Sequence, residues 1–178
     1  MSRIRIILLA IVGIGVLGFV VLQVIPGGSI NPKFAAPGNP EVTYTIQWDS
    51  AQTEQLARAA CFDCHSNETK WAWYDYAAPV SWYVANHIND GRRTLNFSQW
   101  DQPNSDFEEV NRQVKNGEMP LWDYVLLHPS AKLTADEQTA LLNGLQATFQ
   151  QDPPIPRPRR FREGVLNTLL AFANQNAK

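Results

Sequence analysis

Cys61-Phe62-Asp63-Cys64-His65 holds both cysteines of a 178-residue chain, three residues apart, with a histidine directly after the second. The pattern C-x-x-C-H reads as an attachment site for a c-type haem. In such a site each thiol adds to one vinyl group of the porphyrin, and the histidine reaches the iron from the same side. The step of three suits this chemistry on a helix, because side chains at i and i+3 share a face and both sulfurs can meet one flat ring. Three other readings compete. A thioredoxin-like redox pair belongs beside a βαβ pattern, and no alternation of strands and helices surrounds this motif. A zinc site needs two further ligands, for which only His65, His87 and His128 stand ready, at spacings unlike a finger or ribbon. A disulfide would close a very small loop and leave His65 unexplained.

Upstream, Ile6 to Ile25 is a nearly unbroken apolar run with Gln23 its only strongly polar member. At about 1.5 Å per residue it spans about 30 Å, the thickness of a bilayer's hydrocarbon core. A membrane anchor and a cleaved signal both fit. The length of the run and the lack of an A-x-A site after it favour an uncleaved anchor over residues 1–25, and the lack of a following cysteine argues against a lipoprotein. Arg3 and Arg5 precede the run, so the positive-inside rule keeps the N-terminus in the cytoplasm and sends the rest outside. Covalent haem is attached outside the bacterial cytoplasm, so the two signals agree. The expected location is the bacterial inner membrane, crossed once, with the haem domain in the periplasm.

Residues 26–48 are rich in Pro and Gly without periodicity and read as an extended tether that lets the folded part stand off the membrane. Val42 to Ile46 alternates, but one strand makes no sheet, so an extended strap on the domain is expected. Residues 49–150 form one small domain, with a modest core that a buried haem would help complete. The net charge of −2 is too small to imply a nucleic-acid partner. Helix signals dominate. Asp49 or Ser50 caps a helix reaching Cys61, with Leu56 and Ala60 on one face. Pro79 opens a second that Gly91 ends, with Val80, Val84, His87 and Ile88 on a stripe. Ser105 with Glu108 caps a third, ending near Gly117, and Thr134 with Glu137 a fourth whose inner face is Leu141, Leu142, Leu145 and Phe149. The fold class is therefore all-α. Five of the six tryptophans fall between Trp71 and Trp122, and core packing is the expected role for most. In residues 151–178, Pro153 to Pro158 is a stiff polyproline-like spacer leading to an amphipathic helix with Phe161, Val165, Leu169 and Phe172 on one face. That face is expected to pack back on the domain, or else on a partner or a membrane.

A haem iron held by His65 has a sixth position. Met119, in the turn Gly117-Glu118-Met119-Pro120, is the leading candidate for it, against a role as core filler. A histidine and methionine pair suits electron transfer, and an open position suits oxygen or peroxide chemistry. His87, on its apolar stripe, and His128, just before Pro129, are lesser candidates. Arg92, Arg93, Asn96, Trp73 and Trp100 are chemically able to meet haem propionates.

Cys61 to Thr69, Trp71 to Tyr74, Ala78 to Trp82, Gly91-Arg92-Arg93 with Leu95 to Ser98, Gly117 to Pro120 and Tyr124 to His128 together resemble the small haem-binding domain family of bacterial c-type cytochromes. The resemblance covers about Gln55 to Phe149. It implies a cytochrome c-like domain with one covalent haem c at Cys61 and Cys64, His65 as proximal ligand and Met119 as the distal one. It further implies a proline about a dozen residues after the haem histidine, here Pro79, whose carbonyl accepts from the other ring nitrogen of His65.

The sequence thus leads to a membrane-anchored monohaem cytochrome that passes single electrons between a donor and an acceptor protein and is not an enzyme. Two alternatives stay in play: a haem peroxidase or gas sensor with a displaceable sixth ligand, and a haem subunit docked on a respiratory complex.

Overall fold

A computed structural model describes residues 3–157. Helix α1, Arg3–Val24, has no buried residue and is long and apolar enough to cross a membrane or to act as a signal sequence. The expected amphipathic helix from Phe161 lies outside the described residues.

Residues 26–48 differ from the expected free tether. They fold into a short helix α2 (Gly27–Ile30) and a 3-10 turn (Pro32–Phe34), followed by extended chain. A Pro-rich segment leaves carbonyls without helical or sheet partners, and side chains of the domain meet them. Asn89 Nδ2 donates to the Lys33 and Ala35 carbonyls at 2.9 Å each. Arg92 Nη1 donates to Gly38 O at 2.8 Å and Asn67 Nδ2 to Glu41 O at 2.8 Å. Phe34 stacks on Trp82, and the amides of Thr43 and Tyr44 donate to the Ser98 carbonyl. The expected strap at 42–46 is present, with Ile46 buried.

Helix α3, Ala51–Ala60, starts at Ser50, whose hydroxyl accepts from Thr53 N. It turns at Cys61 into the one-turn helix α4, Phe62–His65, which carries the motif. Helix α5, Val80–Thr94, begins at Pro79 as expected but runs past Gly91. Gly91 is therefore not a stop. It sits where α5 crosses α4, and a Cβ there would lie 2.5 Å from the Cys64 carbonyl oxygen. Helix α6, Phe107–Lys115, is capped by Asp106, whose carboxylate accepts from Glu109 N at 3.0 Å. The expected Ser105–Glu108 box is displaced by one residue, because the Ser105 hydroxyl is used on the Thr94 carbonyl. Gly117, at φ +70°, terminates α6 in the left-handed conformation that favours glycine. Helix α7, Trp122–Leu127, follows, and α8, Ala135–Gln151, opens on the expected Thr134–Glu137 capping box.

The proline segment is not a free spacer where it is described. Ile155–Pro156 (β2) pairs in parallel with Pro103–Asn104 (β1), the one small sheet among the described residues. The core lies between α3, α4 and α8. Phe62 stacks on Phe97 and Phe97 on Trp100, which meets Phe149 edge-on, with Ala57, Leu141 and Leu145 closing around them. Gly144 lets α8 approach α3, since a Cβ there would overlap Thr53. Core packing accounts for Trp100, which is buried. Trp73 and Trp122, at 82% and 79% exposed, depart from that expectation.

Candidate functional site

The turn from α3 into α4 is tight enough to direct both thiols and the imidazole to one side. The amides of Cys64 and His65 both donate back to the Cys61 carbonyl, at 3.2 and 2.9 Å. Cys61, Cys64 and His65 line a single apolar cavity of about 290 Å³, walled further by Leu95, Phe97, Val110, Val114 and Leu145. Met119, fifty-four residues on by chain position from His65, lines the same cavity, delivered by the turn after α6. Met119 N donates to Gln113 O at 3.2 Å, which ties the turn to the end of that helix.

His65 is held from behind. Its Nδ1 lies 3.0 Å from the Leu95 carbonyl oxygen, and its own carbonyl accepts from Phe97 N at 2.8 Å. Nδ1 as donor to Leu95 fixes the tautomer and leaves Nε2 as the free lone pair, the arrangement typical of a metal-bound histidine. The expectation that Pro79 O takes this bond does not hold: Pro79 O accepts from Trp82 N and Tyr83 N in the first turn of α5. A carbonyl inside a helix start is already committed, whereas Leu95, just past the end of α5, has a carbonyl to spare.

Burial sets the protonation of the donor set. It pushes both thiols up to about 12, away from the depressed values of reactive redox cysteines. Both cysteines are free rather than paired in a disulfide. Burial also holds the His65 imidazole below the usual histidine range, and the neutral ring is the ligand form. Among the described residues no three His, Cys, Asp or Glu side chains form a metal cluster, so the two thiols lack the companions zinc would need. Apolar walls, two neutral thiols, and an imidazole and a thioether on one cavity fit a haem.

The other histidines differ from each other. His87 lines the cavity with Nδ1 2.9 Å from Tyr83 O. His128 does not reach it: Nε2 is 3.0 Å from Tyr74 OH, Nδ1 is 3.0 Å from Tyr124 O, and the ring stacks on Tyr124. Both lie on a second cavity of about 230 Å³, which shares Cys64, His87, Leu121 and Tyr124 as walls with the first.

Three of the proposed propionate donors are spent elsewhere. Arg92 Nε donates to Ser66 O at 2.6 Å, and its Nη groups go to Gly38 O, Asn39 and Thr69. Asn96 Nδ2 donates to Asn67 and Gln99, and Trp100 Nε1 to Asp152 O. Trp73 is exposed, and Arg93 pairs with Asp90 at 2.8 Å.

Tyr124 is a site residue the motif reading undervalued. It lines both cavities and its hydroxyl donates to Asp63 Oδ2 at 2.7 Å, inside the C-x-x-C loop. Burial, with the Asp63 bond second, raises it well above the usual tyrosine range, so it stays a neutral donor.

A family model described as a haem-binding domain matches residues 17–147. The chain belongs to this haem-binding domain family. The matched span holds the whole C-x-x-C-H motif, Met119 and every residue lining the cavity. No curated protein and no solved structure matches the chain significantly.

Proposed function

We propose that this haem-binding domain is a monohaem c-type cytochrome, anchored by α1 on the periplasmic side of the bacterial inner membrane, that carries single electrons and is not an enzyme. The observation that carries the reading is the convergence of Cys61, Cys64, His65 and Met119 on one apolar cavity, with the outer nitrogen of His65 tied to Leu95 O. A bound haem c supplies a one-electron ferric–ferrous couple. Cys61 and Cys64 would hold the group through thioether bonds on the same cavity that His65 lines. The Leu95 carbonyl orients the imidazole and raises its basicity. Met119 would supply a second donor to the iron from the same cavity, where a thioether would raise the potential. Leu95, Phe97, Val110, Val114 and Leu145 keep water from the ring, so little has to reorganise when the charge changes. Partners are a donor and an acceptor redox protein; a fixed place beside a respiratory complex is the variant of this reading.

Ligation is tested by absorption of the purified full-length protein. The ferric form is expected to be low spin with a sulfur-to-iron charge-transfer band that Met119→Ala abolishes, and the ferrous form to resist carbon monoxide. Ready carbon monoxide binding by the untreated ferrous protein would move the function to peroxide or gas chemistry. A spectrum unchanged in Met119→Ala would move the sixth ligand to His87, the other unassigned donor on the cavity.

A further inference from the structure

We infer that the face made by Trp73, Tyr76, Trp122, Leu126 and Leu127 rests on the lipid headgroups where α1 leaves the bilayer, so the haem domain is seated on the membrane rather than held away from it. The inference depends on α1 being a retained membrane span.

The 22 residues of α1 rise about 33 Å against a hydrocarbon core of about 30 Å. Gln23, in the last turn, is therefore at the water-side boundary. Its side-chain amide grips the domain at two points: Nε2 donates to Ala78 O at 3.0 Å and Oε1 accepts from Ala78 N at 2.9 Å. Beside it Gly27 packs under Trp82, where a Cβ would lie 2.5 Å from the indole. Ala78 is thus pinned at the membrane boundary.

The exposed rings follow from that pin. Tyr76 and Trp73 precede Ala78 by two and five residues, so their backbones lie within about 7 and 17 Å of it by chain reach. Tyr83 OH donates to Asp123 at 2.5 Å and ties the first turn of α7 to the first turn of α5. That helix carries Trp122, Leu126 and Leu127. Trp73, Tyr76, Trp122 and Leu126 are 82%, 72%, 79% and 71% exposed. Tyr74 OH, 3.0 Å from His128 Nε2, ties the turn that carries Trp73 and Tyr76 to the end of α7, and exposed apolar side chains on adjoining elements of a small domain mark a surface that something covers. Tryptophan and tyrosine are the residues that settle at headgroup depth, because each has an apolar body and a polar edge. Continuity with the end of the span makes lipid the occupant.

The test uses full-length protein in liposomes of phosphatidylethanolamine and phosphatidylglycerol, spin-labelled in turn at Trp73→Cys, Leu126→Cys, Val12→Cys and Gln146→Cys. Gln146 is exposed on α8, which packs on α3 and α6. Relaxation by oxygen, which concentrates in lipid, is compared with relaxation by a water-soluble nickel chelate. Oxygen is expected to dominate at 73, 126 and 12, and nickel at 146. Nickel dominance at 73 and 126 with oxygen still dominant at 12 overturns the seat and leaves the span intact. Labels at 73 and 126 shielded from both reagents also overturn it, since residues 158–178 or a partner protein would then cover the face. Nickel dominance at 12 overturns the span and the seat together.

Discussion

The two walls of the haem cavity are built differently. On the His65 side, nearly every group is fixed by a neighbour from another element. The Leu95 carbonyl takes the imidazole, Phe97 N takes the His65 carbonyl, Gly91 admits Cys64 O, and Arg92 bridges Ser66, Thr69 and the strap at Gly38 and Asn39. Behind them Asn67, Asn96, Ser98 and Asn104 are buried and bond to one another, with further bonds to Glu41, Gln99 and Gln102. On the Met119 side a turn of exposed and half-buried residues hangs from the end of α6, with the backbone bonds to Gln113 as its main tie. The first wall can keep its shape without the cofactor. The second is held by fewer bonds, which suits the proposed sixth ligand because its side chain can vary with less effect on the fold.

The sharpest way to break this contrast is at the helix crossing. Gly91→Val puts a branched side chain into the Cys64 carbonyl, and the cost should reach or exceed the upper end of the ~1–3 kcal/mol typical of overpacking. Haem content and the urea midpoint should both fall. Normal values for both would mean that the α4–α5 contact is looser than described. Next in size is Arg92→Ala, which removes charge-assisted bonds to carbonyls of two loops. We expect a loss of about 2–3 kcal/mol by urea denaturation, with the strap at 38–41 more open to proteolysis. Met119→Ala should change stability much less than either while lowering the reduction potential in a redox titration, and the haem stoichiometry should hold at one. Unfolding of this variant would put the two walls on the same footing.

The smallest effect concerns the strap's attachment. Hydrogen bonds from Arg93 and Lys33 hold the Asp90 carboxyl below its ordinary 3.8. A depressed folded value means the contribution is present above that ordinary value and fades as pH falls through the folded one. These groups are largely exposed, so the contribution is below about 1 kcal/mol. Asp90→Asn should therefore weaken the protein slightly at neutral pH and flatten the acid limb of its stability curve. An acid limb identical to that of the parent would remove Asp90 from the account.

That Cys61, Cys64, His65 and Met119 belong together is legible because their chemistry is in their side chains and spacing: two thiols and an imidazole at one turn, and a lone internal methionine in a Gly-Glu-Met-Pro turn. The caps at Ser50 and Thr134 were legible for the same reason. The partner of His65 was not. Leu95 contributes a backbone carbonyl, which has no signature in the sequence, and its availability depends on where α5 ends. Gly91 misled, since a glycine that lets two backbones meet looks like one that stops a helix. Ser105 and Asp106 are adjacent and equally able to cap, and only the Thr94 carbonyl decides between them. The segment at 26–48 reads as a tether because the groups that bind it, Asn67, Asn89 and Arg92, are distant in sequence. Exposure of Trp73 and Trp122 is likewise a property of the assembled fold.

The proposed function turns on covalent attachment of haem at Cys61 and Cys64, and the intact mass of the denatured protein, taken after treatment with a thiol-alkylating reagent, tests it most directly. The account predicts the polypeptide plus one haem, with no alkyl group added. The polypeptide mass alone, carrying two alkyl groups, would contradict it.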